Sequence, residues 1–304
     1  MVLMRTVCQC ISPHLIDGCE TVVQSSSVPL FGKKQMVYGT KFTDGGHLIV
    51  EKDEYFLVPK ECRPFLRQML GAREMLYGTE RWCFWLYDAP KEILEHPYVK
   101  DRIEKRKAFL LQSVSESTRE FAERHPELPI SPSSAAGHPC LAIPAITSGR
   151  RSCIPAVFIE ADCIGTNKTY LVPDGDVADF ALLSCRLHSL WTGMLCGRLK
   201  ADYSYANELC WNTFPVPEGF DADAVRSLAQ DVLDARNSLS GMSLAEMYDP
   251  DVMPDSIRKA HERLDFAVER MYSPDGFETD AERLSCLLRM HSEAQTECGI
   301  CRWF

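Results

Sequence analysis

The chain has no Gly-x-Gly, no adjacent prolines and no Asp/Glu-x-Lys triplet. Each absence removes a route to chemistry. A class-I methyltransferase needs a glycine-rich turn after its first strand, where bare Cα positions and backbone amides let the cofactor come close. An amino-group methyltransferase adds an Asp/Asn-Pro-Pro-Tyr/Phe segment that holds the extruded base, yet none of the 18 prolines has a proline neighbour. A metal-dependent nuclease of the common kind carries a lysine two positions after a carboxylate, and Walker-type phosphate loops are also missing. No apolar stretch approaches the ~20 residues that span a bilayer. The run from Met1 to Cys10, with one Arg and few apolar neighbours, is a poor secretory signal. A cytoplasmic protein that performs none of these reactions unaided is the expectation.

Cysteine, by contrast, is plentiful, at 14 residues. A chain of 304 residues, 45% hydrophobic and 25% charged, can bury a core without a disulfide framework. Most cysteines sit in apolar runs, as Cys83 does between Trp82 and Phe84, Cys185 after Leu182-Leu183-Ser184 and Cys286 before Leu287-Leu288. Buried thiols behave as small hydrophobes, so a reduced protein is expected. Metal sites are not indicated. Cys298-Gly299-Ile300-Cys301 is a lone Cys-x-x-Cys, and neither Cys8-Gln9-Cys10 nor His138-Pro139-Cys140 completes a ligand set.

The net charge of −10 argues at first against a nucleic-acid partner. Its distribution changes that, because the stretch from Glu218 onward carries 9 Lys and Arg against 18 Asp and Glu. The acidic excess belongs almost wholly to that stretch, and a DNA surface on the remainder is permitted without being demanded.

The same point divides the chain. Pro215-Val216-Pro217-Glu218-Gly219 reads as a linker. After it, Asp221 and Asp223 are candidate caps for a helix burying Val225, Ala229 and Val232, Pro254-Asp255 opens a second, and Asp280 to Met290 forms a third. Before it, strand-like pieces (Met36 to Tyr38, His47 to Val50, Arg81 to Tyr87, Cys153 to Ile159, Tyr170 to Val172) alternate with helical ones (Pro64 to Leu70, Val99 to Arg124, Val177 to Leu195). Pro126 to Pro139 is a loop. The fold class is therefore α+β: a lead-in at 1–20, a mixed domain at 21–217 and an all-helical domain at 218–304.

Four segments could meet DNA, and each also has a plain structural reading. Tyr38 to His47 is a compact turn whose Gly45 and Gly46 permit positive φ, with Lys41 and Thr43 free for a phosphate or base edge, or simply solvated. Arg150-Arg151 beside a strand suits bidentate contact with guanine or phosphate, or a salt-bridged pair. Cys196 to Asn207 interleaves Arg198 and Lys200 with Tyr203 and Tyr205, as nucleic-acid surfaces and helix-end loops both do. Arg102, Lys105, Arg106 and Lys107 read as a solvated helix face, and His188 with Trp191 as core.

Taken in order, the segments resemble the C-terminal half of the MmeI-like family of type II restriction–modification enzymes that methylate adenine. The matching pieces include Ile11 to Gly18, Gly39 to Gly46, Gly71-Ala72-Arg73-Glu74, Arg81 to Leu86, Ile143-Pro144, Arg150 to Pro155 and His188 to Trp191. They continue with Gly197 to Tyr205, Trp211 to Pro215, Ser243 to Pro250, Met253-Pro254, Ala260-His261 and Leu264-Asp265. The pattern usually has Glu where Gly149 stands, often Arg at Ser204 and Ser at Ala206. The resemblance implies a target-recognition domain followed by a helical domain, acting on double-stranded DNA. S-adenosylmethionine and adenine-N6 methyl transfer are then expected on a separate catalytic domain or subunit. On this reading Lys41, Thr43, Arg150, Arg151, Arg198, Lys200, Tyr203 and Tyr205 are the candidate DNA contacts, with no catalytic or metal residue, no cofactor in this chain and no membrane partner. The competing readings are a stand-alone thiol or histidine enzyme, for which no spacing pairs a particular Cys with a His, and an assembly module that docks through its acidic helices.

Overall fold

Short alternating apolar runs give strands here, and three- and four-residue apolar spacing gives helices. In a computed structural model, which describes residues 22–297, they fall into two units. One comprises Val37–Ala145 and Val157–Asp174; the other comprises the described parts of Met1–Met36 and Gly175–Phe304 together with Ile146–Ala156.

The first unit holds two four-stranded sheets. Strands β1 (Val37–Tyr38), β2 (Ile49–Glu51), β3 (Leu66–Leu70), β4 (Arg81–Phe84) and β5 (Cys140–Pro144) precede β6 (Ile146–Ser148) of the other unit; β7 (Val157–Ile159), β8 (Ile164–Gly165) and β9 (Thr169–Pro173) follow it. One sheet runs β1-β9-β5-β7 and is antiparallel throughout, and the other runs β2-β4-β3-β8 with only β3 and β8 parallel. Helices α1 (Ala72–Tyr77), α2 (Lys91–Leu94), α3 (Pro97–Leu111) and α4 (Glu116–Arg124) complete it. Leu48, Val50, Phe84, Leu86 and Val99 form the centre of its main apolar cluster.

Arg106 of α3 is fully buried, donating to the carbonyls of Pro126 and Phe42. Arg102 reaches the carbonyls of His47 and Ile49 and pairs with Glu54. The expected solvated face therefore holds only for Lys105 and Lys107, which pair with Asp101 and Glu123 at the surface. Two of the four cations are structural ties, because their long stems let the guanidinium reach backbone acceptors from inside the fold.

The second unit contributes α5 (Val177–Ser184), α6 (Arg186–Leu195), β10 (Gly197–Leu199), β11 (Asp202–Ser204), α7 (Ala222–Asn237), α8 (Leu244–Met247), α9 (Asp255–Tyr272) and α10 (Asp280–Glu297). The three C-terminal helices form where the apolar spacing places them. Asp221 caps α7 through the amides of Asp223 and Ala224, and Val225, Ala229 and Val232 are buried along its inner side. The α+β class holds, with a mixed part followed by helices.

Three expected elements differ. Pro64 to Leu70, read as helical, is the end of a 3-10 turn at Lys60–Phe65 and then strand β3. Pairing with β4 and β8 buries Leu66 and Met69, and that outweighs local helical preference. Val99 to Arg124 breaks after Leu111, and Ser115 restarts the chain by capping α4. Val177 to Leu195 breaks at Cys185, whose extended backbone ends α5 while its sulfur accepts the His188 amide of α6. The Cys-x-x-Cys and the segment Ile11 to Gly18 lie outside the described residues.

Candidate nucleic-acid interface

Strands β10, β11 and β6 form a three-stranded antiparallel sheet in the order β10-β11-β6. Leu199 pairs with Asp202, so the hairpin turns on Lys200 and Ala201 alone. Lys200 takes a φ of 58°, the left-handed backbone that two-residue hairpins ask of their first central residue, here supplied by a cation in place of glycine. Arg198, Tyr203 and Thr147 are cross-strand partners and share one face. The Arg198 guanidinium stacks over the Tyr203 ring, 4.6 Å from its centroid.

Gly149, the residue after β6, lies against the hairpin tip. A Cβ at this position would fall 2.5 Å from the Ala201 carbonyl oxygen. Arg150 follows, exposed and paired with Asp251 at 2.6 Å; donation to that carboxylate raises its pKa above the ordinary guanidinium value. Arg151 donates to Thr147 Oγ1 at 3.4 Å. With Gly149 and Tyr203 it lines a cleft of about 690 Å³ that also takes in Arg186, Arg258 and Asp265. Asp265 accepts the Arg186 amide at 2.8 Å, and burial pushes its acid up to about 7.

The sequence candidates thus divide. Arg150, Arg151, Arg198, Lys200 and Tyr203 gather around one small sheet. Lys41 and Thr43 belong to the other unit. There Lys41 is exposed on a bridge to Ser131, and Thr43 has a φ of 49° in a turn held by Asp44, which accepts the amides of Gly46 and Leu48. Tyr205 is a correction. It is only 2% exposed and its hydroxyl meets His188 Nε2 at 3.1 Å, so it is a core residue that no duplex reaches. His188 and Trp191 are buried as expected, and burial pushes the imidazole down to about 4. Asp251 as the Arg150 partner was missed, since an acidic residue 101 positions away carries no sequence signal.

The thiol reading meets a specific obstacle. The fold does bring a Cys to a His, with Cys153 Sγ 3.8 Å from His261 Nε2. Burial pushes that thiol up to about 12 and that imidazole down to about 3, so both are neutral where a nucleophilic pair needs thiolate. The same Nε2 meets the Tyr248 hydroxyl at 2.8 Å, and Arg236 donates to that hydroxyl and to the Ala156 carbonyl. This is a hydrogen-bonded core cluster. Among the described residues no group of three or more His, Cys, Asp or Glu is arranged to hold a metal ion.

Residues 17–218 match the family described as MmeI, target recognition domain, and residues 219–298 match MmeI, C-terminal domain. The chain belongs to the MmeI family. DNA methyltransferase A of Bacillus subtilis (strain 168) is 33% identical over 296 residues, covering 93% of this chain and 32% of that protein. A solved structure of the type IIL restriction-modification enzyme MmeI in complex with DNA matches with a TM-score of 0.88 at 32% identity, covering 95% of this chain and 39% of the other. The chain therefore spans about a third of the length of the methyltransferase and about two fifths of MmeI.

Several segments that carry the MmeI resemblance are structural here. Glu74 accepts the Gly71 amide and the Arg81 guanidinium, both at 2.8 Å, closing the start of α1 onto β4. Trp211 and Asn212 donate to the carbonyls of Lys34 and Ser26, tying the segment that precedes β1 to the helical layer of its own unit. Among the described residues no helix is long and apolar enough to cross a membrane.

Proposed function

We propose that this chain is the DNA-reading part of an adenine-N6 methyltransferase of the restriction–modification type, and that it grips double-stranded DNA in the cytoplasm on behalf of a separate catalytic domain or subunit. The observation that carries this reading is the β10-β11-β6 sheet, where Arg198, Lys200, Arg150 and Arg151 converge beside Tyr203. Membership of a family whose matching model is a target recognition domain supports it, as does likeness to an enzyme whose structure was solved with DNA. The region 21–217 supplies recognition, and 218–304 supplies helical support.

The roles follow from side-chain chemistry. Arg150 and Arg151 carry planar donor forks that suit guanine edges or phosphate oxygens. Arg198 and Lys200 sit at an exposed hairpin and suit phosphates, as does Lys41 with Thr43 in the other unit. No strand among the described residues opens into a Gly-x-Gly turn, so no residue here is assigned to S-adenosylmethionine, which we place on the catalytic part.

A fluorescence titration of the chain with duplex DNA across a salt series tests the reading. Affinity should fall steeply with salt, with a log–log slope of about −0.9 per phosphate neutralised. Absence of salt-dependent duplex binding would overturn it.

A further inference from the structure

The hairpin that carries Arg198, Lys200 and Tyr203 is flanked by two cysteines. Cys196 immediately precedes β10, and Cys210 lies beyond β11 in the turn before Trp211. Their sulfurs are 2.7 Å apart. Cys210 is fully buried, whereas Cys196 is 9% exposed at the edge of the core. Among the other cysteines whose side chains are described, Cys140 and Cys185 donate to backbone carbonyls, Cys153 meets His261 and Cys286 accepts from Arg289.

We propose that Cys196 and Cys210 form an oxidisable dithiol, which peroxide converts to a disulfide that closes the base of the β10–β11 hairpin. The two sulfurs already stand 2.7 Å apart, and a disulfide closes that separation to ~2.05 Å. The pair is also chemically unequal. Contact with the Cys210 side chain lowers the Cys196 pKa, while burial raises that of Cys210. Cys196, the more accessible and more acidic of the two, is the attacking thiol.

The chemistry balances with hydrogen peroxide as the oxidant. The Cys196 thiolate attacks one peroxide oxygen; an S–O bond forms, the O–O bond breaks, and hydroxide leaves, giving a sulfenic acid. Cys210 then attacks the Cys196 sulfur. The S–S bond forms, the S–O bond breaks, and the departing hydroxide takes up the Cys210 proton as water. Two thiols and one peroxide thus give one disulfide and two waters, with two electrons passing from sulfur to oxygen. The loop so closed, Cys196 to Cys210, contains the whole hairpin, and cross-linking it removes freedom from the unfolded chain.

The experiment treats the folded chain with hydrogen peroxide, blocks remaining thiols under denaturing conditions and maps the peptides by mass spectrometry. The expected product is a Cys196–Cys210 linked peptide pair, lighter than the reduced pair by two hydrogen atoms, abolished by dithiothreitol and accompanied by a higher unfolding temperature. Cys196→Ser should lose the linkage, and the half-exposed control Cys163→Ser should keep it. Recovery of both cysteines as free thiols, or of Cys196 as sulfinic acid with Cys210 still reduced, overturns the proposal. The map of the unmutated chain decides this even if Cys196→Ser fails to fold.

Discussion

Arg198 and Tyr203 face each other across the β10–β11 hairpin, partners in strand register with the guanidinium 4.6 Å from the ring centroid. The arrangement holds a long cationic side chain in one orientation before any partner arrives, so less rotamer freedom is lost on binding. The ring in turn packs on α6, where a Cβ at Gly193 would meet the Tyr203 hydroxyl at 2.9 Å.

Arg198→Ala should therefore weaken duplex binding and flatten the salt slope by about 0.9, the share of one phosphate. Tyr203→Leu should keep that slope while lowering affinity several-fold, because the charge stays and only its ordering is lost. Parallel titrations at three salt concentrations separate the two. Identical slopes for Arg198→Ala and the unmutated chain would remove Arg198 from the interface.

Asp251 holds Arg150 at 2.6 Å on the surface and competes with any phosphate for it. Exposed pairs of this kind contribute little to folding, so Asp251→Asn should leave the unfolding midpoint nearly unchanged. It should tighten DNA binding several-fold at low salt and steepen the salt dependence. Arg150→Ala should do the reverse. If both variants bind as the unmutated chain does, Arg150 makes no contact with the duplex.

How far these features could be read in the sequence depends on which interactions set them. The C-terminal helices were legible because Val225, Ala229, Val232, Ile257 and Leu264 are buried at helical spacing, with Asp221 capping α7 and Pro254 preceding the first turn of α9. Strand β3 was not, since Leu66 and Met69 are placed by β4 and β8, which lie elsewhere in the chain. The basic hairpin was legible as composition, yet its segment also contained Tyr205, and nothing local separates an exposed tyrosine from one whose hydroxyl meets a buried His188. Arg106 and Lys107 are adjacent and chemically alike, but the helix turns one inward and the other outward.

Gly149 stands against the tip of the β10–β11 hairpin. With the Ala201 carbonyl 2.5 Å from where its Cβ would stand, any side chain forces either the hairpin tip or the segment after β6 to move. Gly149→Ala should lower the unfolding temperature by a few degrees, as about 1 kcal/mol does in domains of this size. It should also speed amide exchange at residues 197–204. Unaltered exchange there would show that the segment after β6 yields instead.

Buried titratable groups set opposing pH dependences in the second unit. His261 is held down to about 3 from 6.5, so it binds fewer protons folded than unfolded between those values. Its contribution to stability is complete above pH 6.5 and is lost as pH falls toward 3. Asp265 is pushed up to about 7 from 3.8, so its contribution is complete below pH 3.8 and is lost as pH rises through 7. Denaturant midpoints from pH 4 to 8 check both signs. The stability gap between the unmutated chain and His261→Gln should move in favour of the unmutated chain as pH rises to 6.5. The gap to Asp265→Asn should move against it up to 7. A gap that is flat with pH for either variant refutes that assignment.

Arg106 offers the sharpest test of whether the basic run on α3 serves DNA or the fold. Its guanidinium is fully buried and donates to the carbonyls of Pro126 and Phe42. Removing it strands those acceptors in the interior and opens a void, mechanisms that together cost about 3 kcal/mol. Lys105 and Lys107 point outward onto Asp101 and Glu123, and such surface pairs change stability by less than about 1 kcal/mol when broken. Arg106→Ala should shift the urea midpoint markedly, whereas Lys105→Ala and Lys107→Ala should barely move it. The two lysine variants also isolate the electrostatic question, because they leave the fold intact. If they flatten the salt dependence of duplex binding, α3 contributes to the grip; if the slope stands, the helix holds the unit together and the DNA contacts lie elsewhere.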